Sequence, residues 1–422
     1  MAADARSIAR DLLVAVLQRR RALDDALAAH EGLAALEPRD RGFARLLVAT
    51  TLRRLGEIDA LIESRLEHPL PERAAAARDV LRLGIAQLVF LGTPAHAAVD
   101  TAVAAMSGRL ASYRGLVNAM LRGVARGDLP EFDAARIDTP DWLWESWAKT
   151  YGEQTARAIA TAHLSEAALD ITVKSDPQHW AQALDAVVLP TGTLRRDGGG
   201  AVAELPGYAE GAWWVQDAAA ALPARLLSAV AGKRVADLCA APGGKAAQLA
   251  AAGAHVIAYD ISKKRLDLLR RNLARLGFDA EYRVGDARNI ATQEKFDVIL
   301  LDAPCSGTGT IRRHPDIARL KTPEDVARLA VVQADMLDAA CAALAPGGAL
   351  VYAVCSLQPE EGVDQIESLM ARNRQIARDP IRAPGLPATF LTNRGDLQTL
   401  PSHWPERGGL DGFFAARLIH GT

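Results

Sequence analysis

The chain has 422 residues, of which 50% are hydrophobic and 24% charged, and its formal net charge is −2. A chain of this length can bury a large core, and about 150 residues per domain suggests two or three domains. The small net charge excludes a global electrostatic attraction to nucleic acid, so any such binding has to come from local basic patches.

The cysteine content and the apolar runs indicate where the protein acts. The cysteines are too sparse for a disulfide framework and too widely spaced for a zinc knuckle. The first residues lack the apolar core of a signal peptide, and no apolar run approaches the roughly 18 residues of a membrane span. We therefore expect reduced thiols, no metal ion, no membrane association and a cytoplasmic location. The cysteines are Cys239, Cys305, Cys341 and Cys355.

The first 130 residues predict a helical bundle. Apolar residues recur every three or four positions in stretches such as "FARLLVATTLRRLGEIDALI", and prolines interrupt the pattern. The segment "GDLPEFDAARIDTPDW", which begins at Gly127, predicts the joint to the next stretch, 131–230. The stretch continues with one predicted helix, "WLWESWAKTYGEQTARAIATAHL", and short strand candidates such as "LDITVKS". This stretch predicts a linker and a small α+β subdomain.

Strands and helices alternate from residue 231 to the end. The strand candidates are "RVADLCA", "HVIAYD", "EYRVGD", "FDVILLDA" and "ALVYAVCS", and "SKKRLDLLRRNLARLG" is typical of a helix between two of them. Alternation of this kind predicts an α/β domain with a parallel, doubly wound sheet, whose ligand binds at the carboxyl ends of the strands.

The loop after the first of these strands predicts a cofactor site. It lacks the spacing of a phosphate-binding Walker loop or a dinucleotide fingerprint, which argues against a nicotinamide-dependent oxidoreductase. Carboxylates end the following strands at Asp260, Asp286 and Asp302. Such a set suits a ligand with a ribose, an adenine amino group and an α-ammonium but no phosphates, as in S-adenosylmethionine. The predicted loop residues are Cys239, Ala240, Ala241, Pro242, Gly243, Gly244 and Lys245.

Two thiols follow neighbouring predicted strands, Cys305 in "DAPCSGTG" and Cys355 in "YAVCSLQPEEG". A free cysteine is commonly a small core residue, and this is our interpretation of Cys341, which lies within an alanine-rich helix. The placement of Cys305 and Cys355 at adjacent strand ends favours a chemical role instead.

Four motifs carry a resemblance to a known family. The segments "DLCAAPGGK", "DAPCSGTGTIRRHPD", "YAVCSLQPEEG" and "GGLDGFFAARL" resemble the successive motifs of the RNA cytosine-5 methyltransferases, specifically the bacterial Sun/Fmu-type enzymes of 16S ribosomal RNA. The N-terminal segments "LRLGIAQLVFL" and "GLVNAMLRGVAR" are similar to the NusB-like RNA-binding domain found fused to these enzymes. The resemblance covers essentially the whole chain.

The resemblance implies a fold and a reaction. The implied architecture is a NusB-like helical domain over 1–130, a linker with a small α+β RNA-binding subdomain over 131–230, and a Rossmann-like methyltransferase domain over 231–422. The implied reaction is methylation of cytosine C5 by S-adenosylmethionine through a covalent bond between a cysteine and C6.

The resemblance also implies roles for the two thiols. In the RNA enzymes the nucleophile is the cysteine of the later strand, which matches Cys355. Cys305 would then assist product release, and Asp302 would lie beside the target ring. DNA cytosine-5 methyltransferases instead use a Pro-Cys pair, which would nominate Cys305.

The expected partner is small-subunit ribosomal RNA, bound by a monomer. Arg312 and Arg313 adjoin the cysteine loop and are candidate phosphate contacts. Two alternatives stay open: a transfer RNA cytosine-5 methyltransferase, and a non-catalytic RNA-binding assembly factor. Further candidate RNA contacts in the helical bundle are Arg19, Arg20, Arg21, Arg39, Arg41, Arg45, Arg53 and Arg54.

Overall fold

The computed structural model describes residues 4–127, 129–198, 200–227, 229–290, 294–382 and 386–421. The helices are α1 (Ala5–Leu17), α2 (Leu23–Ala29), α3 (Glu31–Ala34), α4 (Pro38–Arg53), α5 (Leu55–Glu63), α6 (Ala75–Ile85), α7 (Ala95–Ala104), α8 (Arg114–Ala125), α9 (Ala134–Ile137), α10 (Asp141–Tyr151), α11 (Glu153–His163), α12 (Pro177–Ala183), α13 (Leu222–Arg225), α14 (Gly244–Ala251), α15 (Lys263–Arg275), α16 (Ile317–Leu320), α17 (Pro323–Ala343) and α18 (Val363–Arg372).

The strands are β1 (Leu169–Val173), β2 (Val187–Val188), β3 (Leu194–Arg196), β4 (Trp213–Val215), β5 (Arg234–Leu238), β6 (His255–Asp260), β7 (Glu281–Val284), β8 (Phe296–Asp302), β9 (Leu344–Val354), β10 (Ile376–Arg378), β11 (Leu397–Thr399) and β12 (Phe413–His420). Short 3-10 turns include Thr308–Thr310 and Pro359–Glu361. None of the helices in the described ranges is both long enough and apolar enough to cross a bilayer.

The chain divides into two compact units. The first unit comprises Met1–Ser165 and Ile311–Lys321, and the second comprises Glu166–Thr310 and Thr322–Thr422. Helices α1–α11 lie in the first unit, whereas strands β1–β4 lie in the second. The three predicted domain boundaries stay a prediction.

The first unit is a helical bundle, as the three- and four-residue spacing of apolar positions predicts. Leu13, Leu47 and Leu81 are fully buried in its core. The prediction of one continuous helix after residue 140 is wrong, because the chain breaks into α10 and α11 at Gly152. Gly152 adopts a φ of 84°, a left-handed conformation that interrupts the helix and favours glycine.

Residues 311–321 are held within the first unit by hydrogen bonds to main-chain groups. The backbone N–H of Leu23 donates to Oδ2 of Asp316 over 2.9 Å. Arg53 donates to the carbonyl of Arg312 over 2.9 Å, and Arg319 donates to the carbonyl of Asp138 over 2.8 Å. The chain therefore leaves the second unit directly after the Cys305 loop and returns to it at Thr322.

The second unit contains a small antiparallel sheet with the strand order β2-β3-β1-β4. Asp170 on β1 and Arg195 on β3 form a buried ion pair at 2.7 Å. The Arg195 guanidinium also donates to the carbonyls of Arg407 and Gly409. The pair thereby fixes the start of the "GGLDGFF" segment to the small sheet.

The larger sheet of the second unit has the order β10-β12-β9-β8-β5-β6-β7, with β11 paired to β12. Strands β5 to β9 pair in parallel, which confirms the predicted Rossmann-like sheet, and β12 adds an antiparallel strand beside β9. The chain order reverses between β5 and β8, so a crevice opens above the carboxyl ends of these two strands. The predicted site residues lie at or after the carboxyl ends of the parallel strands β5 to β9.

Candidate active site

The loop between β5 and α14 turns through unusual backbone conformations. Cys239 has a φ of 64°, which is uncommon for a residue other than glycine. Gly243 has a φ of 109° and caps α14, and a Cβ atom there would lie 3.0 Å from Leu269. Burial, followed by the charges of nearby aspartates, raises the pKa of Cys239 to about 12, so this thiol stays protonated. Cys239 therefore contributes its backbone conformation rather than a thiolate.

A cavity of about 290 Å³ lies at the carboxyl ends of the parallel strands. Tyr259, Ile261 and Met336 give it apolar walls. Ala240 and Lys245 are not among its lining residues, and Pro242, Gly243 and Gly244 line a separate cavity of about 150 Å³ behind the loop. The predicted site residues that line the larger cavity are Cys239, Ala241, Asp260, Asp286, Asp302, Cys305 and Cys355.

Asp260 fits the predicted role of a ribose-binding carboxylate. It is 2% exposed, and its Oδ1 accepts a hydrogen bond from the backbone N–H of Ser262 over 2.9 Å. Its Oδ2 is buried and accepts no hydrogen bond from any described residue. This oxygen forms an ion pair with Nη1 of Arg265 at 3.5 Å but makes no hydrogen bond, so it can still accept one from a ligand hydroxyl.

Asp286 differs from Asp260 because a neighbouring side chain already donates to both of its carboxylate oxygens. Both of its oxygens accept hydrogen bonds from the Arg288 side chain, at 2.6–3.1 Å. These bonds are the main reason why the pKa of Asp286 lies below its ordinary value. Asp286 therefore lines the cavity as one half of an ion pair.

Lys245 and Asp302 form a second ion pair at the edge of the cavity. Nζ of Lys245 donates to Oδ2 of Asp302 over 2.7 Å and lies 5.1 Å from the ring centre of Phe413. Burial by itself lowers the pKa of Lys245. The charge of Asp302, its hydrogen bond and the charge of Cys355 together outweigh burial, so the pKa of Lys245 lies above its ordinary value. The site thus holds a buried ammonium close to Cys355.

The two thiols meet at the cavity. Sγ of Cys305 and Sγ of Cys355 are 3.4 Å apart, and both cysteines are free and partly exposed. The pKa of Cys305 is raised well above 9, first by its hydrogen bond with Cys355, then by burial and by the charges of Cys355 and Glu361. Either sulphur can act as the donor of this contact, which couples the protonation of the two thiols.

Backbone contacts join three loops around the thiols. The N–H of Gly309 donates to the carbonyl of Cys355 over 3.0 Å, and the N–H of Gly412 donates to the carbonyl of Gly309 over 2.8 Å. A Cβ atom on Gly309 would lie 2.0 Å from the Gly412 carbonyl oxygen, so only glycine allows this approach. The "SGTG", "VCSL" and "LDGFF" segments therefore form one rigid assembly.

Comparisons with known proteins identify the family to which the chain belongs. The family described as 16S rRNA methyltransferase RsmB/F matches residues 224–419, and the NusB family matches residues 3–126. Ribosomal RNA small subunit methyltransferase B of Pseudomonas syringae pv. tomato is 36% identical over 440 residues, which cover 98% of this chain and 96% of that protein. The chain belongs to the RsmB/F family of 16S rRNA methyltransferases.

A further relative and two solved structures are also similar to the chain. Ribosomal RNA small subunit methyltransferase B of Vibrio cholerae is 36% identical and covers 98% of this chain and 96% of its own. A methyltransferase homolog from Pyrococcus horikoshii is 26% identical, with a TM-score of 0.56, over 65% of this chain and 93% of its own. The crystal structure of PH0851 is 22% identical, with a TM-score of 0.76 over 99% of both chains, and it shows the fold alone.

Membership of the RsmB/F family confirms several predictions. The predicted family, the NusB-like helical domain, the methyltransferase fold, the enzymatic nature of the protein and S-adenosylmethionine as its cofactor are all confirmed. When bound, S-adenosylmethionine supplies the methyl group. We therefore set aside the non-catalytic alternative.

Some of the predicted RNA contacts are wrong. Arg312 is only 2% exposed and Arg53 9% exposed, so neither guanidinium presents itself to an RNA phosphate. Both residues lie in the first unit, where Arg53 donates to the Arg312 carbonyl. Arg19, Arg20, Arg21, Arg39, Arg41 and Arg45 are exposed.

Sequence reasoning missed two charged residues of the site. Arg265 lines the cavity and donates to the carbonyl of Ala241 over 2.6 Å, although the surrounding "SKKR" cluster favours a solvated helix face. Asp237, the penultimate residue of β5, is fully buried, and neither of its oxygens has a hydrogen-bond partner among the described residues. Its position at the head of the "DLCAAPGGK" motif is the signal that could have identified it.

Replacing Asp260 should weaken cofactor binding. A hydrogen bond to a charged group contributes about 1.5–3 kcal/mol, so Asp260→Ala should raise the Kd for S-adenosylmethionine roughly 10- to 100-fold in calorimetric titrations. Asp267→Ala is the matched control, because Asp267 is a partly exposed aspartate on α15 that pairs with Lys263 and does not line the cavity. An unchanged Kd for Asp260→Ala would remove this residue from the cofactor site.

Asp237 should make stability depend on pH. Burial and then the charge of Asp302 raise the pKa of Asp237 from 3.8 to about 8. The folded protein therefore binds a proton that the unfolded chain releases, and its free energy of unfolding should fall as the pH rises from about 4 to about 8. Urea unfolding of the cofactor-free protein should show a smaller fall for Asp237→Asn. The exposed Asp297→Asn variant should follow the wild type, and identical curves for all three proteins would contradict the assignment.

Proposed function

We propose that the protein methylates C5 of a specific cytosine in 16S ribosomal RNA, with S-adenosylmethionine as methyl donor and Cys355 as covalent nucleophile. The observation that carries this proposal is the pair of thiols, 3.4 Å apart, on the wall of the cofactor cavity. A thiol is the group that methylation at C5 needs, because C5 of cytosine is a weak nucleophile. Addition of a thiolate to C6 moves the electron pair of the C5–C6 double bond towards C5 and so activates this atom.

The charges around the two thiols support Cys355 as the nucleophile. The ammonium of Lys245 interacts with Cys355, whereas the carboxylate of Glu361 acts on Cys305. A positive charge favours a thiolate, and a negative charge favours a thiol. In this proposal Cys355 adds to C6 as a thiolate, and Cys305 stays protonated beside it.

The same charges support a role for Cys305 in product release. After methyl transfer, the C5 proton must leave so that the C5–C6 double bond can re-form and expel Cys355 as a thiolate. Once the sulphur of Cys355 is bonded to C6, its hydrogen bond with Cys305 and its charge are both lost, which removes two of the causes that raise the pKa of Cys305. Cys305 can then lose its proton to water and accept the C5 proton as a thiolate.

Asp302 is proposed to orient the target ring. It lines the cavity between the two thiols and the cofactor loop, and Lys245 holds one of its oxygens. We propose that its carboxyl group hydrogen-bonds the N3 edge of the cytosine. Since a base inside a paired stem cannot present C6 to a thiol, the target cytosine must be unpaired or flipped out.

The remaining expectations concern the setting of the reaction. The chain covers 96% of the length of its relatives named ribosomal RNA small subunit methyltransferase B, which supports the same substrate class for this protein. A monomeric state and a cytoplasmic location, where ribosomal RNA is assembled, stay predictions.

The two thiols should give opposite phenotypes. Cys355→Ala should abolish methylation and covalent capture of RNA, because the nucleophile is missing. Cys305→Ala should let a covalent RNA adduct accumulate in the presence of S-adenosylmethionine, visible as a shifted band on a denaturing gel. Cys341→Ala, which removes a buried thiol of α17, serves as the control and should form no such adduct. An adduct with Cys355→Ala and none with Cys305→Ala would exchange the two assignments.

The substrate can be identified in cells that lack the gene. Bisulfite sequencing and mass spectrometry of RNA from a deletion strain should show the loss of 5-methylcytosine at one position of 16S ribosomal RNA, restored by the wild-type gene but not by Cys355→Ala. Loss of the mark from transfer RNA would establish the alternative substrate instead. If no 5-methylcytosine disappears from either RNA, the proposed reaction is wrong.

A further inference from the structure

A buried carboxylate lies beneath the two thiols. Glu361, the last residue of the 3-10 turn Pro359–Glu361, is fully buried. Its Oε1 accepts hydrogen bonds from the backbone N–H of Ser306 over 2.8 Å and from Nε2 of Gln333 over 3.1 Å. Its Oε2 accepts from the hydroxyls of Ser306 and Ser356, both over 2.5 Å. The four donors leave this carboxylate well satisfied, and no ion pair joins it to a cation among the described residues.

The donors place Glu361 between the two catalytic loops. Ser306 directly follows Cys305, and Ser356 directly follows Cys355. The two serine hydroxyls also lie 3.1 Å from each other. One side chain therefore ties together the residues next to both thiols, which are 50 positions apart in the chain.

Further hydrogen bonds fix Glu361 itself. The hydroxyl of Tyr352 on β9 donates to the Glu361 carbonyl over 2.6 Å. Gln333 on α17 donates both to the Glu361 carboxylate and to the carbonyl of Pro304, which precedes Cys305. The carboxylate is thus held on rigid elements, as the precise placement of reacting groups requires.

We propose that Glu361 is a positioning residue of the thiol pair. Its carboxylate, shared between the residues that follow Cys305 and Cys355, sets the separation of the two sulphurs and maintains a fixed negative charge on the Cys305 side of the pair. The inference rests on the proposed function, because it assigns Glu361 a part in keeping the two thiols in different protonation states.

The charge distinguishes this role from simple packing. Glu361 is one of the groups that raise the pKa of Cys305, whereas the buried ammonium of Lys245 interacts with Cys355. A neutral side chain of the same shape would preserve much of the packing but would remove the charge. Titration of Cys305 therefore reports on the proposed role, and a purely structural role would leave it unchanged.

The test compares Glu361→Gln with Glu360→Gln, which removes the exposed carboxylate of the preceding residue. The glutamine keeps the volume of Glu361, and the serine hydroxyls can rotate to accept from its amide. We expect kcat to fall roughly 10- to 100-fold in Glu361→Gln, since the amide lacks the charge that strengthens the hydrogen bonds next to both thiols, and losing charge-assisted hydrogen bonds has effects of about this order. The KM values for RNA and S-adenosylmethionine should change little, and Glu360→Gln should resemble the wild type.

A thiol titration provides a readout that does not depend on catalysis. In a Cys355→Ala background, the ultraviolet absorbance of the Cys305 thiolate is followed against pH with and without Glu361→Gln. The other two cysteines are common to both proteins and cancel in the difference. Removing the negative charge should shift the Cys305 titration to lower pH, and an unshifted titration would overturn the proposal even if kcat falls.

Two further outcomes separate the inference from the proposed function. Methylation by Cys355→Ala itself would refute the proposed nucleophile, whatever Glu361 does. If Cys355→Ala is inactive while Glu361→Gln has the wild-type kcat, only the inference fails. Should Glu361→Gln not fold, Ser356→Ala removes a single hydroxyl donor and should still lower kcat severalfold, and wild-type kcat in that variant would count against the proposal.

Discussion

The parallel pairing of β8 with β9 is the constraint on which the active site depends. Asp302, the last residue of β8, lies opposite Ala353 in β9, so the chain leaves both strands at the same edge of the sheet. Cys305 and Cys355 each follow within three residues of these paired positions. A shift of this register would separate the thiols, because each residue of a strand advances the chain by about 3.3 Å.

The site contains buried polar oxygens whose hydrogen-bonding capacity the described residues do not fully satisfy. Lys245 neutralises Asp302, and Arg288 neutralises Asp286. Oxygens of Asp237 and Asp260 remain buried without a hydrogen-bond donor among the described residues. Burial of such groups is costly, so part of the folding free energy maintains a cavity that is completed when a ligand with hydroxyl and cationic groups binds.

Local sequence patterns were sufficient for the elements that place the site. Apolar runs that end in Asp260, Asp302 and Cys355 predict strands, and the strand-end rule then brings these residues to one edge of the sheet. The pairing of the thiols follows from the same rule. The helix break at Gly152 was harder to predict. The residues on both sides of Gly152 continue the helical spacing, and only the positive φ of this glycine interrupts the helix.

Contacts between distant residues could not be predicted in this way. Glu361 contacts Ser306 across 55 positions, and Lys245 contacts Asp302 across 57. Nothing in the local pattern of either residue specifies its partner. For Arg312, closeness in sequence was misleading. Its position seven residues after Cys305 suggests that both residues lie on one surface, but the Arg312 side chain is buried in the first unit.

Residues 311–321 belong to the first unit although the sequence on both sides of them belongs to the second, which limits how the protein can be cut into fragments. A fragment that begins near residue 166 would retain this segment but lose Leu23, Arg53 and Asp138, to which it is bonded. The apolar side of Leu320 would lose the core against which it packs. The NusB-like part is therefore not a detachable appendage. Each unit consists of two separate stretches of sequence, so neither can be produced in full as one uninterrupted fragment.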